Sequence, residues 1–224
     1  DLYGKDEGEN TLHARIRFKG AFFMFDRKMD RLLGIKTTGT RDWQEGIKHY
    51  HRYEATSYKA LYELSRNYRF RSTDKVVDFG CGKGRVVFYL HHCFHIPVTG
   101  IEANAKTYEE AVENKVKYIR KSKKIIAPIE FVHCPAQYYK ISKADNCFYF
   151  FNPFSVQIFR EVVGNILRSV EKDRRTVSLI LYYPPNEYRD FLRFSTPFVI
   201  SDEIKIPGEI DEREKFTIYR LPEF

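Results

Sequence analysis

From Tyr58 onward, short apolar runs alternate with longer amphipathic segments, and few folds accommodate such an alternation. The strand-like runs are KVVDFG, PVTGIEA, IEFVHC, NCFYFFNPF, TVSLILYYP, PFVISDEIKI and EKFTIYRL. Helix-like segments, with apolar residues at three- and four-residue spacing, lie between most of them. A chain of this kind forms a mostly parallel sheet with helices on both faces. Ligands of such sheets bind beyond the carboxyl ends of the strands, beside the first strand.

Length and composition agree with a single α/β domain. The chain has 224 residues, of which 43% are hydrophobic and 30% are charged, and this is enough for a substantial core. No apolar run approaches the roughly 20 residues of a membrane helix, so we expect a soluble protein. The cysteines lack the paired spacing of a disulfide framework, which favours free thiols and a cytoplasmic location. They are Cys81, Cys93, Cys134 and Cys147.

Two features precede the regular alternation. The segment HARIRFKGAFFMFDRKMDRLLG mixes apolar with basic residues, and its end predicts a short helix that Gly34 terminates. A second helix follows over the apolar face of YKALYEL, with Thr56 or Ser57 as the N-cap.

The stretch VVDFGCGKGRV, Val76 to Val86, carries the clearest ligand signal. An apolar strand delivers Asp78 to the carboxyl edge, and three alternate glycines then let the backbone lie against a ligand. The next helix begins near Arg85, and its N-terminal amides suit an electronegative group. A phosphate loop of the Walker type needs a different spacing, and a dinucleotide fingerprint fails because its third glycine is missing. A glycine turn without any ligand is the remaining alternative.

The spacing DFGCGKG resembles motif I of the class I S-adenosylmethionine-dependent methyltransferases. In GIEAN, Glu102 stands where that family has an acid at the end of its second strand. The resemblance runs from about residue 50 to the C-terminus. It implies a Rossmann-like α/β fold with a seven-stranded, mostly parallel sheet, helices on both faces and a final antiparallel strand. We therefore divide the chain into a basic and aromatic extension, 1–49, and a methyltransferase domain, 50–224.

The resemblance implies S-adenosyl-L-methionine as the cofactor. It places Glu102 on the ribose hydroxyls, and Asp78 or its loop would meet the amino group. Many relatives have an acid near the adenine, where this chain has HCPAQYY, so Ala136 and Gln137 are our substitutes. The segment YEATSY resembles one that packs over the methionine end, although an ordinary helix start would also explain it. The predicted cofactor contacts are Tyr53, Glu54, Thr56, Asp78, Gly80, Cys81, Gly82, Gly84, Arg85, Glu102, Ala103, Asn104, Ala136, Gln137 and Asn152.

The stretch YFFNPF is similar to the (Asp/Asn)-Pro-Pro-(Tyr/Phe) motif of enzymes that methylate planar nitrogens, with one proline in place of two. Asn152, Pro153 and Phe154 are thus the predicted catalytic residues. The delocalised lone pair of a planar nitrogen makes it a poor nucleophile. An Asn oxygen and a backbone carbonyl can orient it, and an aromatic ring can stack on it. An Asx-Pro turn at the end of a buried strand is the structural alternative.

The charge balance points to an acidic partner. The formal net charge is +8 with a pI near 9.2, and 16% of the residues are aromatic, a combination that suits nucleic acid. Basic residues of the extension would meet phosphates, and aromatic residues near the methyl-transfer position would meet the base. These substrate candidates are Arg15, Arg17, Lys19, Arg27, Lys28, Phe154, Tyr182 and Tyr183. A solvated basic face is the alternative for the cations.

Taken together, these patterns predict a methyltransferase that modifies a nitrogen of an RNA base, with ribosomal RNA favoured. A methyltransferase for a small-molecule or protein nitrogen is the second interpretation, and a non-catalytic cofactor-binding or RNA-binding module is the third. We expect no metal site, because His91 and His95 share a helix face without a second group of ligands.

Overall fold

The computed structural model describes residues 25–42 and 49–222. The helices are α1 (25–33), α2 (Tyr58–Asn67), α3 (Arg85–Phe94), α4 (Ala105–Lys121), α5 (Val156–Lys172) and α6 (Asn186–Ser195), with a short 3-10 helix at Ala136–Tyr138. The strands are β1 (Val76–Phe79), β2 (Val98–Glu102), β3 (Ile129–His133), β4 (Cys147–Phe150), β5 (Ser178–Tyr182), β6 (Val199–Lys205) and β7 (Lys215–Arg220).

The strands form one seven-stranded sheet in the order β3-β2-β1-β4-β5-β7-β6. Neighbours from β3 to β5 pair in parallel, whereas β7 runs antiparallel to both β5 and β6. This arrangement confirms the predicted Rossmann-like α/β fold. The chain leaves β1 toward β2 on one side and returns to β4 on the other. A cleft therefore opens at the carboxyl ends of these strands.

The core lies on both faces of the sheet. In β1, Val76 points to a cluster with α2, α3 and α4, and Val77 points to a cluster with α5 and α6. In β4, Cys147 and Phe148 divide between the two clusters in the same way. Because β1 and β4 are buried on both faces, their sequences are continuous apolar runs interrupted only by Asp78.

The described part of the N-terminal extension packs against the domain. Helix α1 ends before Gly34, which has a φ of 76°, so the predicted helix and its terminator are confirmed. The buried Asp30 carboxylate accepts hydrogen bonds from the Thr37 amide (2.6 Å), the Thr37 hydroxyl (2.7 Å) and the Tyr58 hydroxyl (2.7 Å). These bonds fold residues 35–38 back along the helix. The division of the chain at residue 49 stays a prediction.

Ser57 is the N-cap of α2, since its hydroxyl accepts a hydrogen bond from the Ala60 amide at 3.2 Å. Thr56, the other predicted cap, instead shares a hydrogen bond of 2.8 Å with the Tyr149 hydroxyl. This bond holds Thr56 against β4.

Candidate functional site

A cleft at the carboxyl ends of β1, β2 and β4 brings together most of the residues predicted from the sequence. Segments far apart in the chain meet there, because parallel strands deliver their loops to one edge of the sheet. The predicted site residues that line the cleft are Tyr53, Glu54, Thr56, Asp78, Gly80, Cys81, Arg85, Glu102, Ala103, Asn104, Ala136, Pro153 and Phe154.

The glycine loop is tightly covered by protein. Gly80, Gly82 and Gly84 have φ angles of 76°, 55° and 89°, which residues with a Cβ rarely adopt. A Cβ on Gly82 would lie 2.0 Å from the Tyr53 ring, and one on Gly80 would lie 2.4 Å from Pro153. The glycines are therefore needed to seat Tyr53 and Pro153 as well as to form the turn. Among the described residues that line the cleft, the loop contributes Gly80 and Cys81.

Asp78 places a buried carboxylate at the end of β1. The residue is 3% exposed, and no described residue makes a hydrogen bond to its Oδ2 atom. Burial, together with the charge of Glu102, raises the pKa of Asp78 well above its ordinary value. An uncompensated buried carboxylate is costly, so this position favours a cationic ligand.

Glu102 ends β2, the strand next to β1. Its Oε2 atom accepts a hydrogen bond from the Gly82 amide (2.9 Å), and its Oε1 atom accepts one from the Asn104 amide (2.7 Å). Burial raises the pKa of Glu102, and these amide bonds oppose the shift. Each oxygen retains capacity for a further hydrogen bond, because a carboxylate offers about four acceptor positions.

Residues 49–56, here called the strap, bridge the cleft between the glycine loop and the loop after β4. Tyr53 forms a β-bridge with Arg41, and Tyr50 forms one with Phe154. The His51 amide donates to the Pro153 carbonyl at 3.1 Å. The Tyr53 hydroxyl donates to the Thr37 carbonyl at 2.6 Å, and burial raises the pKa of that hydroxyl. The strap thus closes one side of the cleft.

Asn152, in the loop after β4, contacts His51 of the strap. The His51 Nδ1 atom lies 2.9 Å from the Asn152 carbonyl oxygen and 3.1 Å from its Oδ1 atom. Both of these atoms are acceptors, so Nδ1 carries the proton in either bond. Asn152 has a φ of 39°, a left-handed conformation that is uncommon for a residue with a Cβ. Constrained backbone of this kind concentrates at functional sites.

Phe154 is built into the core. It is 1% exposed and makes edge contacts with Tyr50 and Phe150, each at 6.3 Å between ring centroids. Its carbonyl accepts a hydrogen bond from the buried Tyr188 hydroxyl at 2.5 Å. Phe154 therefore forms part of the cleft floor, and its ring has little free face for stacking on a substrate.

Arg85 fastens the N-terminal extension to the site. Its guanidinium pairs with Asp26 at 2.6 Å, and it donates to the Thr37 hydroxyl (2.7 Å) and the Thr56 carbonyl (3.1 Å). It also lies 4.7 Å from the centroid of the Tyr58 ring. The side chain lines the cleft, and these contacts engage its Nε and Nη1 donors.

Several predicted residues lie outside the cleft lining that the described chain forms. Gly82 and Gly84 pack against aromatic rings, and the Gln137 side chain approaches the Tyr50 hydroxyl at 3.5 Å. Asn152 directly precedes Pro153, which does line the cleft.

The predicted substrate residues are dispersed. Arg15, Arg17 and Lys19 lie outside the described residues, and Arg27 and Lys28 are exposed on α1. Tyr182 is buried, and its hydroxyl donates to Glu214. Tyr183 has a φ of 49°, and its hydroxyl donates to Asp211 at 2.7 Å.

The sequence reasoning missed cleft residues from the strap and from the segment before it. Arg41, Tyr50 and His51 line the cleft, and so does Tyr149 from within β4. Arg41 reaches the start of α4 by donating to Thr107 (2.8 Å) and Glu110 (2.7 Å). The polar and aromatic stretch HYHRYE just before the predicted site segment was the available signal for Tyr50 and His51.

The described ranges contain neither a metal-binding cluster nor a helix that could span a membrane. Residues 25–42 and 49–222 contain no cluster of three or more His, Cys, Asp or Glu side chains arranged to hold a metal. Within the same ranges, no helix is both long enough and apolar enough to cross a bilayer.

No protein-family model matches this sequence, and no curated protein is significantly similar to it. Solved structures do share its fold. The human methyltransferase 10 domain containing protein aligns with a TM-score of 0.56 over 92% of this chain and 98% of its own, at 9% identity. A SAM-dependent methyltransferase from Methanosarcina mazei aligns with a TM-score of 0.54 over 70% of this chain and 96% of its own, at 15% identity.

The tRNA (uracil-54, C5)-methyltransferase of Pyrococcus abyssi, solved with S-adenosyl-L-homocysteine, aligns with a TM-score of 0.50 at 13% identity. The alignment covers 76% of this chain and spans 40% of the length of that enzyme. At such identities the likeness is one of fold. The chain therefore has the Rossmann-like fold found in class I methyltransferases.

Proposed function

We propose that this chain is an S-adenosyl-L-methionine-dependent methyltransferase. The observation that carries the proposal is the buried Asp78 carboxylate, whose Oδ2 atom has no hydrogen-bond partner among the described residues. Asp78 lines the cleft at the position where this fold binds ligands. The ammonium group of a bound methionine moiety would neutralise the carboxylate and offset the cost of burying it.

The neighbouring residues fit the rest of the cofactor. Glu102 stands one strand away and can accept hydrogen bonds from two ribose hydroxyls in addition to its amide donors. Ala103, Cys134 and Ala136 line the adjoining part of the cleft, and these small side chains suit a flat adenine ring. Gly80 also lines the cleft, where its backbone can lie against the methionine moiety.

When bound, this cofactor supplies a methyl group on a sulfonium that is already activated for transfer. The task left to the protein is to hold the acceptor nitrogen in line, and orientation of this kind contributes most of the rate. We assign that task to Asn152, with His51 as the residue that holds it. The contact of His51 Nδ1 with both Asn152 oxygens supports the assignment.

The acceptor we propose is a nitrogen of an RNA base, and ribosomal RNA is favoured by analogy with other small single-domain methyltransferases. The net charge of +8 supports an RNA partner, because non-specific attraction to phosphates scales with clustered Lys and Arg. The exposed Arg27 and Lys28 on α1 add local support.

A cationic amine or protein nitrogen is a second candidate acceptor, and an acidic group near the strap favours it. Burial and the charges of Glu209 and Asp211 raise the pKa of Glu214. The charge of Glu54, which lines the cleft, adds to this shift. The negative charges of Glu54, Glu209 and Asp211, which oppose the ionisation of Glu214, would attract a positively charged substrate and repel phosphate.

A transfer assay separates these candidates. The protein is incubated with methyl-labelled S-adenosylmethionine and, in separate reactions, RNA, DNA, protein and metabolite fractions. Label in RNA supports the proposal, whereas label in protein or metabolites selects the second candidate. D78N serves as a comparison, and it should retain its circular dichroism spectrum and transfer less methyl at a limiting concentration of S-adenosylmethionine. If calorimetry detects no binding of S-adenosylmethionine to the natural chain, the methyltransferase proposal is wrong.

A further inference from the structure

The end of α1 and the segment that follows it lie against α4. The Lys121 ammonium at the end of α4 donates to the Arg31 carbonyl at 2.8 Å. Further along, the Asn114 side chain accepts from the Lys36 amide (2.9 Å) and donates to the Lys36 carbonyl (3.1 Å). These contacts join two segments 78 residues apart in the chain into one surface.

This surface is strongly basic. Exposed cations come from both segments and from the turn after α4, and we call the surface that they form the basic ridge. Its members are Arg31, Lys36, Arg120, Lys121, Lys123 and Lys124. The ridge extends the row of cations that begins on α1 with Arg27 and Lys28. Clustered cations of one sign raise the local concentration of a polyanion.

Helix stabilisation explains only part of this cluster. Cations in the last turn of a helix interact favourably with its macrodipole, which accounts for Arg120 and Lys121. Lys123 and Lys124 lie beyond the end of α4, and Arg31 and Lys36 belong to another segment. The convergence of cations from three segments therefore favours binding over a local structural role.

The ridge leads away from the cleft. Helix α4 begins at the cleft, where Asn104 and Thr107 are part of the lining. At 1.5 Å per residue, Thr107 and Lys121 are about 21 Å apart along the helix axis. This distance corresponds to several units of a polyanion that has one unit in the cleft.

We propose that the basic ridge binds the phosphate backbone of RNA that flanks the nucleotide held in the cleft. This inference rests on the proposed RNA methyltransferase function, and it adds a surface that acts at a distance from the methyl transfer. Contacts of this kind position the nucleic acid without reading its sequence. The ridge thus supplies affinity and register, and the cleft supplies base selection.

The test compares two triple variants that each remove three charges. R120Q/K123Q/K124Q alters the ridge, and K140Q/K143Q/K172Q alters exposed lysines of segments that pack against the opposite face of the sheet. Gln is a good helix former, so α4 should be retained. Binding of a fluorescein-labelled RNA hairpin is measured as a function of salt, and calorimetry with S-adenosylmethionine checks the cleft.

The ridge variant should reduce the slope of log affinity against log salt by about 0.7–0.9 for each phosphate contact that is lost. The control variant should retain the natural slope, and both variants should bind S-adenosylmethionine as the natural chain does. Equal slopes for the two variants would overturn the proposal that the basic ridge binds RNA, while leaving the proposed function intact.

Binding of S-adenosylmethionine without any RNA binding at low salt would remove both the RNA substrate and the ridge. Vesicles with anionic phospholipid form a second arm, because Ile119 and Ile126 are also exposed near these cations. Vesicle binding without RNA binding would assign the surface to a membrane instead.

Discussion

Asp78 and Glu102 stand at the ends of adjacent parallel strands, and burial raises the pKa of both carboxyls. Backbone amides compensate Glu102, whereas Asp78 has one oxygen without a hydrogen-bond donor among the described residues. Folding therefore leaves an electrostatic cost at Asp78 that a cationic ligand can relieve. The burial of Asp78 is therefore best explained by a cationic ligand that binds beside it.

Replacement of Asp78 by Asn should increase the stability of the folded protein and weaken the binding of the cofactor. Because folding raises the pKa of Asp78, the folded protein retains a proton that the unfolded chain releases near pH 4. The free energy of unfolding of the natural chain should fall as the pH rises above that value, since the folded state then binds more protons. D78N lacks this loss, so its stability advantage should grow with pH. Urea denaturation at several pH values measures the difference.

The same variant should bind S-adenosylmethionine about tenfold to a hundredfold more weakly. It loses a charge-assisted hydrogen bond of roughly 1.5–3 kcal/mol. Calorimetry at neutral pH provides the measurement. Unchanged affinity would show that Asp78 does not contact the cofactor.

His51 and Asn152 should act as a unit in turnover. N152A should lower kcat on the order of a hundredfold with little change in cofactor affinity, because orientation of the acceptor is lost. H51A should have a similar effect, since His51 Nδ1 contacts both Asn152 oxygens. H51N restores a donor near the Nδ1 position and should recover part of the rate.

A double-mutant cycle distinguishes this coupling from two independent roles. In the N152A background, H51A should lower kcat little further, because the interaction between the two residues has already been removed. Additive losses in kcat would mean that His51 contributes to the reaction separately from Asn152.

Among the elements, the strap and α1 depend on tertiary anchors. The strap pairs with Arg41 on one side and with Phe154 on the other through isolated β-bridges. Helix α1 is tied to the start of α3 by the pair between Arg85 and Asp26. Both segments therefore owe their position to contacts with the domain.

Loss of Arg85 should loosen the N-terminal extension. R85M leaves Asp26 without its partner and removes donors to Thr37 and Thr56, so it should cost about 3 kcal/mol or more. R41Q breaks a more exposed pair with Glu110, for which about 1 kcal/mol is expected. Urea denaturation gives both values, and hydrogen exchange over residues 30–41 locates the change. Equal costs for the two variants would contradict a special role for Arg85.

At the scale of the whole molecule, a ligand that binds the folded cleft should stabilise the entire domain. S-adenosylhomocysteine at about 100 times its Kd should raise the free energy of unfolding by about 2.7 kcal/mol. E102A should reduce this gain at the same ligand concentration, because it loses two charge-assisted ribose bonds of roughly 1.5–3 kcal/mol each. Thermal unfolding with and without ligand measures the effect. An equal gain in E102A would remove Glu102 from the ribose site.

Local patterns predicted a mostly parallel sheet with helices on both faces, and the resemblance to methyltransferase motifs added the final antiparallel strand and the position of Glu102. The strand and helix periods, the glycine spacing after Asp78 and the position of Glu102 are all encoded within short windows. Parallel pairing then brings these ends to one edge for any chain with this strand order. For this reason the sequence alone was enough to place Asp78, Gly80 and Glu102 in the cleft.

Contacts between distant segments could not be predicted in this way. The bond between His51 and Asn152 joins residues 101 positions apart, and the ring of Tyr53 over Gly82 depends on the path of the strap. The burial of Phe154 likewise follows from Tyr50 and Phe150 packing on its edges. Short-range periodicity carries no information on which distant side chain fills a given space, so these features emerge only when the chain is folded.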